Sequence, residues 1–358
     1  EGGAIPLRPD ALVVTSISAP NAALRAQARG AEAIGARFYL IGDRKSPPVF
    51  QLEHCDYFPL ERQANIPGRL AKLIPENCYS RKNLGYLLAA MGGANLVAET
   101  DDDNFPLDDF WMARSPAGIA RTTQGGRWFN PYGSFGRPDV WPRGYPLELL
   151  CQEQEAATSR NAAHSPIQQG LAAGNPDVDA VFRLTRKLPV DFTSAEPISI
   201  SQGTWSPFNS QATFWFAEAL PLAYLPTYCS FRMTDIWRGF IAQRIAWTCS
   251  WTLKFESPVV RQERNEHNLL KDFENEIPGY LYNDRICRKL EEIDLRKGAD
   301  SIPDNLRACY RALVDEGWIG KGELELLEAW LSDFESLAVS RGHRQPENGW
   351  CTATKSWT

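Results

Sequence analysis

Short apolar runs alternate with segments of helical composition over the first hundred residues. Residues 11–17 form a β-branched run, residues 22–29 are rich in alanine and arginine, and residues 37–43 form a second apolar run. The same order returns with a helical segment at 82–91 and an apolar run at 95–100. Strands that alternate with helices are typical of parallel sheets covered by helices. The pattern therefore predicts a doubly wound α/β fold in this part of the chain.

The remainder of the chain shows other patterns. Residues 106–207 are rich in Gly, Pro, Trp and Asn and weakly periodic, which predicts long loops that cover a site, with a few short strands. Residues 213–251 are apolar and aromatic with one polar step at Thr234 and Asp235, which predicts core helices. Helical periodicity continues beyond residue 265, so we expect a C-terminal helical appendage.

Composition and charge argue against two classes of partner. The 358 residues are 43% hydrophobic, enough for a large core, and the formal net charge of -6 is spread along the chain. Lysine and arginine form no long blocks interleaved with aromatic residues, so nucleic acid is not an expected partner. The best candidate for a membrane span, residues 212–228, is interrupted by Glu218, Pro221 and Pro226. No transmembrane segment is therefore predicted.

The eight cysteines are dispersed, and no two of them form a C-x-x-C pair. This spacing argues against a structural zinc site and against a thioredoxin-type redox motif. Two alternatives stay open from the sequence, namely buried free thiols and disulfides formed in an oxidising compartment.

Three consecutive aspartates, Asp101, Asp102 and Asp103, follow the apolar run at 95–100. Like charges in a cleft repel, and each raises the pKa of the others unless a cation compensates. Mg²⁺ and Mn²⁺ prefer one or two carboxylates together with phosphate oxygens, so the triplet suggests a site for a metal-bound diphosphate. The alternative is an acidic turn or helix cap, where Asp is an ordinary residue.

Other polar residues are expected near this triplet. Thr15, Ser16 and Asp43 end the first two predicted strands, and doubly wound sheets bind ligands at the carboxyl ends of their strands. Arg81 and Lys82 begin the next helix, whose N-terminus favours negative charge, so both are candidates for contact with a diphosphate. The alternative for Arg81 and Lys82 is an exposed basic pair.

Asp235 lies in an apolar and aromatic segment, so its carboxylate is expected to be buried. A buried carboxylate needs a partner, and Arg238 and Arg244 are the candidates nearby. Alternatively, desolvation raises the pKa of Asp235, as a general base requires. His267 follows the same apolar block and is either a surface histidine or a metal ligand contributed from late in the sequence.

Several long segments of the chain resemble the lumenal domain of STELLO-type proteins. The resembling segments are 129–148 (FNPYGSFGRPDVWPRGYPLE), 167–187 (IQQGLAAGNPDVDAVFRLTRK), 81–87 (RKNLGYL), 207–210 (PFNS), 234–240 (TDIWRGF) and 316–333. A more distant similarity links the chain to the reversibly glycosylated polypeptides, which are GT-A proteins that use UDP-sugars. That similarity rests on the aspartate triplet, 143–146 (RGYP), 175–179 (NPDVD) and 235–237 (DIW).

The resemblance implies a GT-A fold, that is, a Rossmann-like α/β fold with a mostly parallel sheet flanked by helices and a C-terminal helical appendage. It implies that Asp101, Asp103 and His267 bind Mn²⁺ or Mg²⁺, and that Asp235 is the catalytic base of an inverting transfer. The implied nucleotide-sugar ligands are Thr15, Ser16, Asp43, Arg81, Lys82, Asp101, Asp102, Arg143, Gln169 and Asp179. The acidic motif of plant STELLO proteins ends sooner than this one. The resemblance therefore leaves open which aspartates of the triplet contact the metal.

The expected activity is transfer of a sugar from a nucleotide sugar, a UDP-sugar by resemblance, to a glycan or another hydroxyl acceptor. Two alternatives are a UDP-sugar mutase and a non-catalytic scaffold associated with polysaccharide synthesis. The family implies the Golgi lumen and an association with cellulose synthase in plants, whereas a bacterial relative would act in the cytoplasm. The sequence leaves localisation, oligomeric state, the sugar and the acceptor open.

The predicted organisation has three parts. Residues 1–260 form the glycosyltransferase domain, with a nucleotide-binding half at about 8–110 and an acceptor and sugar half at about 111–260. Residues 261–340 form a helical subdomain, and residues 341–358 form a tail.

Overall fold

A large mixed sheet forms the centre of the protein. The computed structural model describes residues 5–152, 157–263 and 268–342. Its strands are β1 (Ala11–Thr15), β2 (Arg37–Ile41), β3 (Asp56–Phe58), β4 (Leu96–Thr100), β5 (Asn104–Pro106), β6 (Ala117–Gln124), β7 (Ala157–His164), β8 (Ile167–Ala173), β9 (Ile198–Ile200), β10 (Ala212–Phe216) and β11 (Leu253–Gln262).

The strands follow the order β3-β2-β1-β4-β10-β8-β11-β9-β6-β7, and β5 pairs with β11. Strands β3, β2, β1 and β4 are parallel, β10 is antiparallel to both of its neighbours, and β11 is parallel to β8. A parallel Rossmann-like half that continues through one reversed strand into a mixed half is a GT-A-like arrangement. The predicted fold class is therefore confirmed.

Helices cover the sheet and extend beyond it. They are α1 (Ala22–Ile34), α2 (Leu60–Gln63), α3 (Leu70–Leu73), α4 (Lys82–Met91), α5 (Ala180–Thr185), α6 (Thr234–Thr248), α7 (Leu269–Glu292), α8 (Ile302–Asp315) and α9 (Glu323–Gly342). The predicted order of strand, helix and strand is confirmed for β1, α1 and β2 and for α4 with β4. Gly85 lets α4 approach the sheet, because a Cβ there would lie 2.3 Å from Cγ1 of Val13.

Two expectations for the second half of the sheet are wrong. The start of the apolar stretch at 213–251 is not helical, because residues 212–216 form β10. A five-residue apolar run fits a buried strand as well as a helix, and periodicity cannot separate the two. Residues 106–207 also contain longer strands than expected, since β6 and β7 have eight residues each and β8 has seven.

Two buried carboxylates of the C-terminal helices bind backbone groups in the rest of the protein. Glu323, at the start of α9, accepts hydrogen bonds from the backbone N–H groups of Thr227 and Tyr228, both at 2.8 Å. Asp333, in the same helix, accepts from the N–H groups of Arg69 at 2.7 Å and Leu70 at 2.9 Å. The helical appendage is thus packed against the body of the protein. The boundary at 260/261 stays a prediction.

Within the described ranges, no helix is both long enough and apolar enough to cross a membrane. The seven cysteines in those ranges are free thiols; Cys287 and Cys309 are buried, Cys151 is exposed, and the other four are partly buried.

We expect Asp333→Ala to lower the free energy of unfolding by about 1–3 kcal/mol, because two backbone N–H groups lose their acceptors in a closed interface. Chemical denaturation followed by circular dichroism measures the change. Glu335→Ala is the matched control: the Glu335 side chain is 60% exposed, and its removal is expected to change stability by less than about 0.5 kcal/mol. Equal effects of the two substitutions would contradict the role given to Asp333.

Candidate functional site

A cavity of about 540 Å³ opens at the carboxyl ends of β1, β2 and β4. Its volume lies in the range of small-molecule sites. The predicted residues that line it are Thr15, Ser16, Asp43, Arg81, Asp101, Asp102, Asp103, Arg143 and Asp235. Lys82, Gln169 and Asp179 lie outside the lining. His267 lies outside the residues that the structure describes.

One wall of the cavity is built from the ends of β1 and β2. The Ser16 hydroxyl donates to Asp102 Oδ2 at 2.5 Å. The Asp43 carboxylate accepts from the N–H groups of Asn77 at 2.8 Å and Cys78 at 3.0 Å, and so holds a second loop against this wall. Asp43 therefore shapes the pocket through the backbone of the neighbouring loop.

The aspartate triplet combines burial with local negative charge. Burial raises the pKa of Asp101, whereas Lys82 and a hydrogen bond from the Tyr79 hydroxyl at 2.8 Å act in the opposite direction. Burial, followed by the charge of Asp101, raises the pKa of Asp103 to about 6. Asp103 Oδ2 accepts from Gln262 Nε2 at 3.0 Å, which is a neutral donor. Among the described residues, no basic side chain pairs with the Asp103 carboxylate.

The residues fit a metal site that substrate phosphates complete better than a site built from protein ligands alone. Across the described ranges, no three His, Cys, Asp or Glu side chains are arranged to hold a metal ion by themselves. Asp101 and Asp103 offer only oxygen ligands, and their raised pKa values show that their negative charge is costly as it stands. Mg²⁺ and Mn²⁺ are bound in this way by one or two carboxylates together with substrate phosphates.

Lys82 lies beneath the triplet and not in the cavity. Its side chain is fully buried, and its Nζ donates to the carbonyl of Thr100 at 2.8 Å. The same nitrogen lies 3.4 Å from Asp101 Oδ1 and 3.7 Å from Glu99 Oε2. Its charge acts on the cavity through Asp101, so the structure gives no direct diphosphate contact to Lys82.

Arg81 lines the cavity, but its guanidinium is used within the protein. It donates to Gln63 Oε1 at 2.8 Å and to the carbonyls of Ile74 at 3.0 Å and Pro75 at 2.9 Å. These bonds hold the chain that precedes α4.

Asp235 is buried at the start of α6, and its partner is Arg143. The two groups form paired hydrogen bonds, with Nη1 to Oδ1 at 3.0 Å and Nη2 to Oδ2 at 2.9 Å. The expected partners are wrong, since Arg238 pairs with Glu99 and Arg244 donates to two backbone carbonyls.

The pKa of Asp235 moves in the direction opposite to the expected one. Burial of the carboxylate raises the pKa, but the charge and hydrogen bonds of Arg143 outweigh burial and lower the pKa to about 2. Arg143 also holds Asp177 with two hydrogen bonds of 2.8 Å. One guanidinium therefore pairs with two cavity carboxylates, and it keeps that of Asp235 ionised.

Gln169 and Asp179 support the wall from behind. Asp179 accepts from the N–H of Phe182 at 2.8 Å as the cap of α5 and from Trp141 Nε1 at 2.7 Å. Gln169 exchanges two hydrogen bonds with Asn209, whose Nδ2 donates to Asp177 at 2.8 Å. Both predicted ligands thus act as positioning residues for the cavity wall.

Sequence reasoning missed several lining residues. They are Lys45, Tyr79, Asp177, Arg183, Ser210, Phe231 and Arg232. Asp177 stands in the NPDVD segment used for the resemblance, so a signal for it was present. Phe231 and Arg232 directly precede the segment that contains Asp235.

Comparison with known proteins finds similarity to one group of glycosyltransferases. The family model described as STELLO glycosyltransferases matches residues 232–343, which include Asp235. The chain is 27% identical over 339 residues to "Probable glycosyltransferase STELLO1" of Arabidopsis thaliana and 27% identical over 334 residues to "Probable glycosyltransferase STELLO2". The resemblance to STELLO-type glycosyltransferases is confirmed. Each alignment covers 87% of this chain and 42% of the relative, so the chain spans less than half the length of these STELLO proteins.

We expect Arg143→Gln to lower the free energy of unfolding at neutral pH by about 3–5 kcal/mol, because it leaves buried carboxylates unpaired. The folded pKa of Asp235, about 2, lies below the ordinary carboxyl value. Its stabilising effect is therefore present at neutral pH and is lost as the pH falls through that ordinary value towards 2. The gap in Tm between wild type and variant should shrink as the pH falls from about 5 towards 2.

Thermal melting at a series of pH values measures this gap. Arg137→Gln is the matched control, because Arg137 pairs with Asp139, whose side chain is 60% exposed, and exposed pairs contribute little. A gap for Arg143→Gln that does not change with pH would rule out the proposed coupling to Asp235.

Proposed function

We propose that the chain is a metal-dependent, inverting glycosyltransferase that uses a UDP-sugar and transfers the sugar to a hydroxyl of a glycan. One observation carries the proposal. Asp101 Oδ1, the Tyr79 hydroxyl, the Ser210 hydroxyl and Asp235 Oδ2 follow one another at 2.8, 2.6 and 3.3 Å. Asp101 Oδ1 and Asp235 Oδ2 are therefore no more than about 9 Å apart. This span accommodates one sugar ring between a diphosphate and an acceptor hydroxyl.

The donor would lie along the carboxyl edge of the sheet. Thr15, Ser16 and the loop held by Asp43 would enclose the nucleoside, and Asp101 and Asp103 would hold Mn²⁺ or Mg²⁺ at the diphosphate. The metal ion would neutralise charge on the departing UDP. The choice of UDP rests on the resemblance to the reversibly glycosylated polypeptides.

Asp235 is proposed as the group that receives the acceptor proton. The acceptor oxygen bonds to the anomeric carbon from the face opposite the diphosphate, the bond from that carbon to the UDP oxygen breaks, and the hydroxyl proton passes to the Asp235 carboxylate. Arg143 keeps Asp235 ionised, which is the form that accepts a proton. A carboxylate with a pKa of about 2 is a weak base, so proton transfer would follow the loss of hydroxyl basicity as the new bond forms.

Asp235→Asn is expected to preserve UDP-sugar binding and to lower the rate of transfer at least about 10³-fold, because the amide cannot accept the proton. Asp177 still holds Arg143 in this variant. Donor affinity by calorimetry and product formation by mass spectrometry measure the two properties. Unchanged turnover in Asp235→Asn would remove Asp235 from the role of base.

Asp103→Ala is expected to weaken UDP binding in the presence of Mn²⁺ at least about 30-fold, roughly 2 kcal/mol, and to make the affinity insensitive to chelation. Calorimetric titration of UDP with Mn²⁺ and then with a chelator measures this. Asp108→Ala is the matched control, since Asp108 is an exposed aspartate just after β5 and does not line the cavity. Wild-type protein that binds no nucleotide would favour the scaffold, and conversion of one UDP-sugar into another without acceptor would favour the mutase.

A further inference from the structure

Phe231 is an aromatic side chain at the rim of the candidate cavity. It lines the cavity and is nevertheless 61% exposed, whereas Asp235, four residues further along the chain, is 7% exposed. A single exposed apolar residue needs no special explanation on an ordinary surface. Phe231 differs because it shares its cavity with polar side chains that can bind hydroxyls, Asp177 and Arg232 among them.

The ring is held in place from two sides. The Tyr79 ring meets it at an interplanar angle of 83°, with 6.1 Å between the ring centroids. Phe231 starts a 3₁₀ turn, Phe231–Met233, that is fixed to α7. Arg232 in this turn donates to Glu276 Oε1 at 3.0 and 2.9 Å, and a Cβ on Gly279 of α7 would lie 2.2 Å from the Met233 sulfur. A ring with a fixed plane is a pre-organised contact.

The turn also fixes the ring relative to Asp235. Helix α6 starts at Thr234 with no intervening loop, so Phe231 and Asp235 belong to one continuous helical segment. The rise per residue of 3₁₀ and α-helices separates the two by about 7 Å along the axis. This separation is comparable to the width of one sugar ring. A hydroxyl on a ring stacked against Phe231 could therefore reach the Asp235 carboxylate.

We propose that Phe231 is the stacking platform for a pyranose ring of the acceptor, so that the acceptor is a glycan chain and not a peptide or a small alcohol. This inference rests on the proposed glycosyl transfer. One face of a pyranose is made of C–H groups, and an aromatic face buries it while the hydroxyls at the ring edge stay free for polar side chains. The exposure of Phe231 favours the acceptor, which enters from solvent, over the donor sugar, which is attached to the diphosphate near Asp101.

The test measures binding of defined oligosaccharides, which needs no turnover. Saturation-transfer NMR is recorded with cellotetraose, xylotetraose, mannotetraose and galactotetraose, each with UDP and Mn²⁺ present. We expect wild type to bind at least one tetrasaccharide, Phe231→Ala and Phe231→Leu to bind it at least about tenfold more weakly, and Phe231→Trp to bind it within about threefold of wild type. Phe273→Ala is the matched control, because Phe273 is a partly exposed phenylalanine on α7 that does not line the cavity.

The outcomes separate this inference from the proposed function. Calorimetry of UDP on the same variants reports the donor site, and its affinity is expected to be unchanged by Phe231→Ala. The stacking role of Phe231 is contradicted, and the proposed donor site is not, if UDP binds wild type but no tetrasaccharide does. The same holds if UDP binds and Phe231→Ala binds the tetrasaccharide as tightly as wild type. If a tetrasaccharide binds in a Phe231-dependent way and UDP does not bind, the stacking role of Phe231 is supported and the proposed donor is wrong.

Discussion

The buried carboxylate of Glu99 is the constraint on which the site depends. It lies on β4, fully buried, and accepts from Trp215 Nε1 at 2.8 Å and from the hydroxyl of Tyr86. Arg238 lies 3.1 Å away and Lys82 3.7 Å away. Desolvation of an ion costs several kcal/mol, so such a carboxylate is stable only with its full set of partners. Those partners come from α4, β10 and α6, and one charge therefore fixes the strand that leads to the aspartate triplet and the helix that begins at Asp235.

The distribution of basic side chains around the carboxylates supports the proposal that the triplet binds a cation. Lys82 lies between Glu99 and Asp101, and Arg238 supplies the second positive charge of that cluster. In the part of the chain that the structure describes, the side chains that donate to Asp102 and Asp103 are the neutral ones of Ser16, Asn104 and Gln262. On the opposite side, Arg143 pairs with both Asp177 and Asp235. Basic side chains thus compensate Glu99, Asp101, Asp177 and Asp235, whereas the side-chain donors to Asp102 and Asp103 within the described residues are neutral.

The local part of this arrangement could be predicted from the sequence, and the long-range part could not. The pattern of apolar runs and helical composition predicts β1, α1, β2, α4 and β4, and it places the triplet directly after β4, whereas it does not predict β3, α2 and α3. The partner of Asp235 lies 92 residues away, and no local pattern identifies it. Asp177 and Asp179 stand two residues apart in one motif, yet one faces the cavity and the other caps α5. The course of the backbone between the two residues determines that Asp177 faces the cavity and Asp179 does not.

The C-terminal helices position the second wall of the cavity. On α7, Asn283 accepts from Trp237 Nε1 of α6 at 2.9 Å and donates to the carbonyl of Gly144, the residue after Arg143, at 3.0 Å. Glu276, on the same helix, holds the turn that carries Phe231. One helix therefore sets the mutual placement of Arg143, Asp235 and the exposed ring. The match to the STELLO family model starts at residue 232 and runs through these helices, which agrees with a role for them in shaping the site as well as in stability.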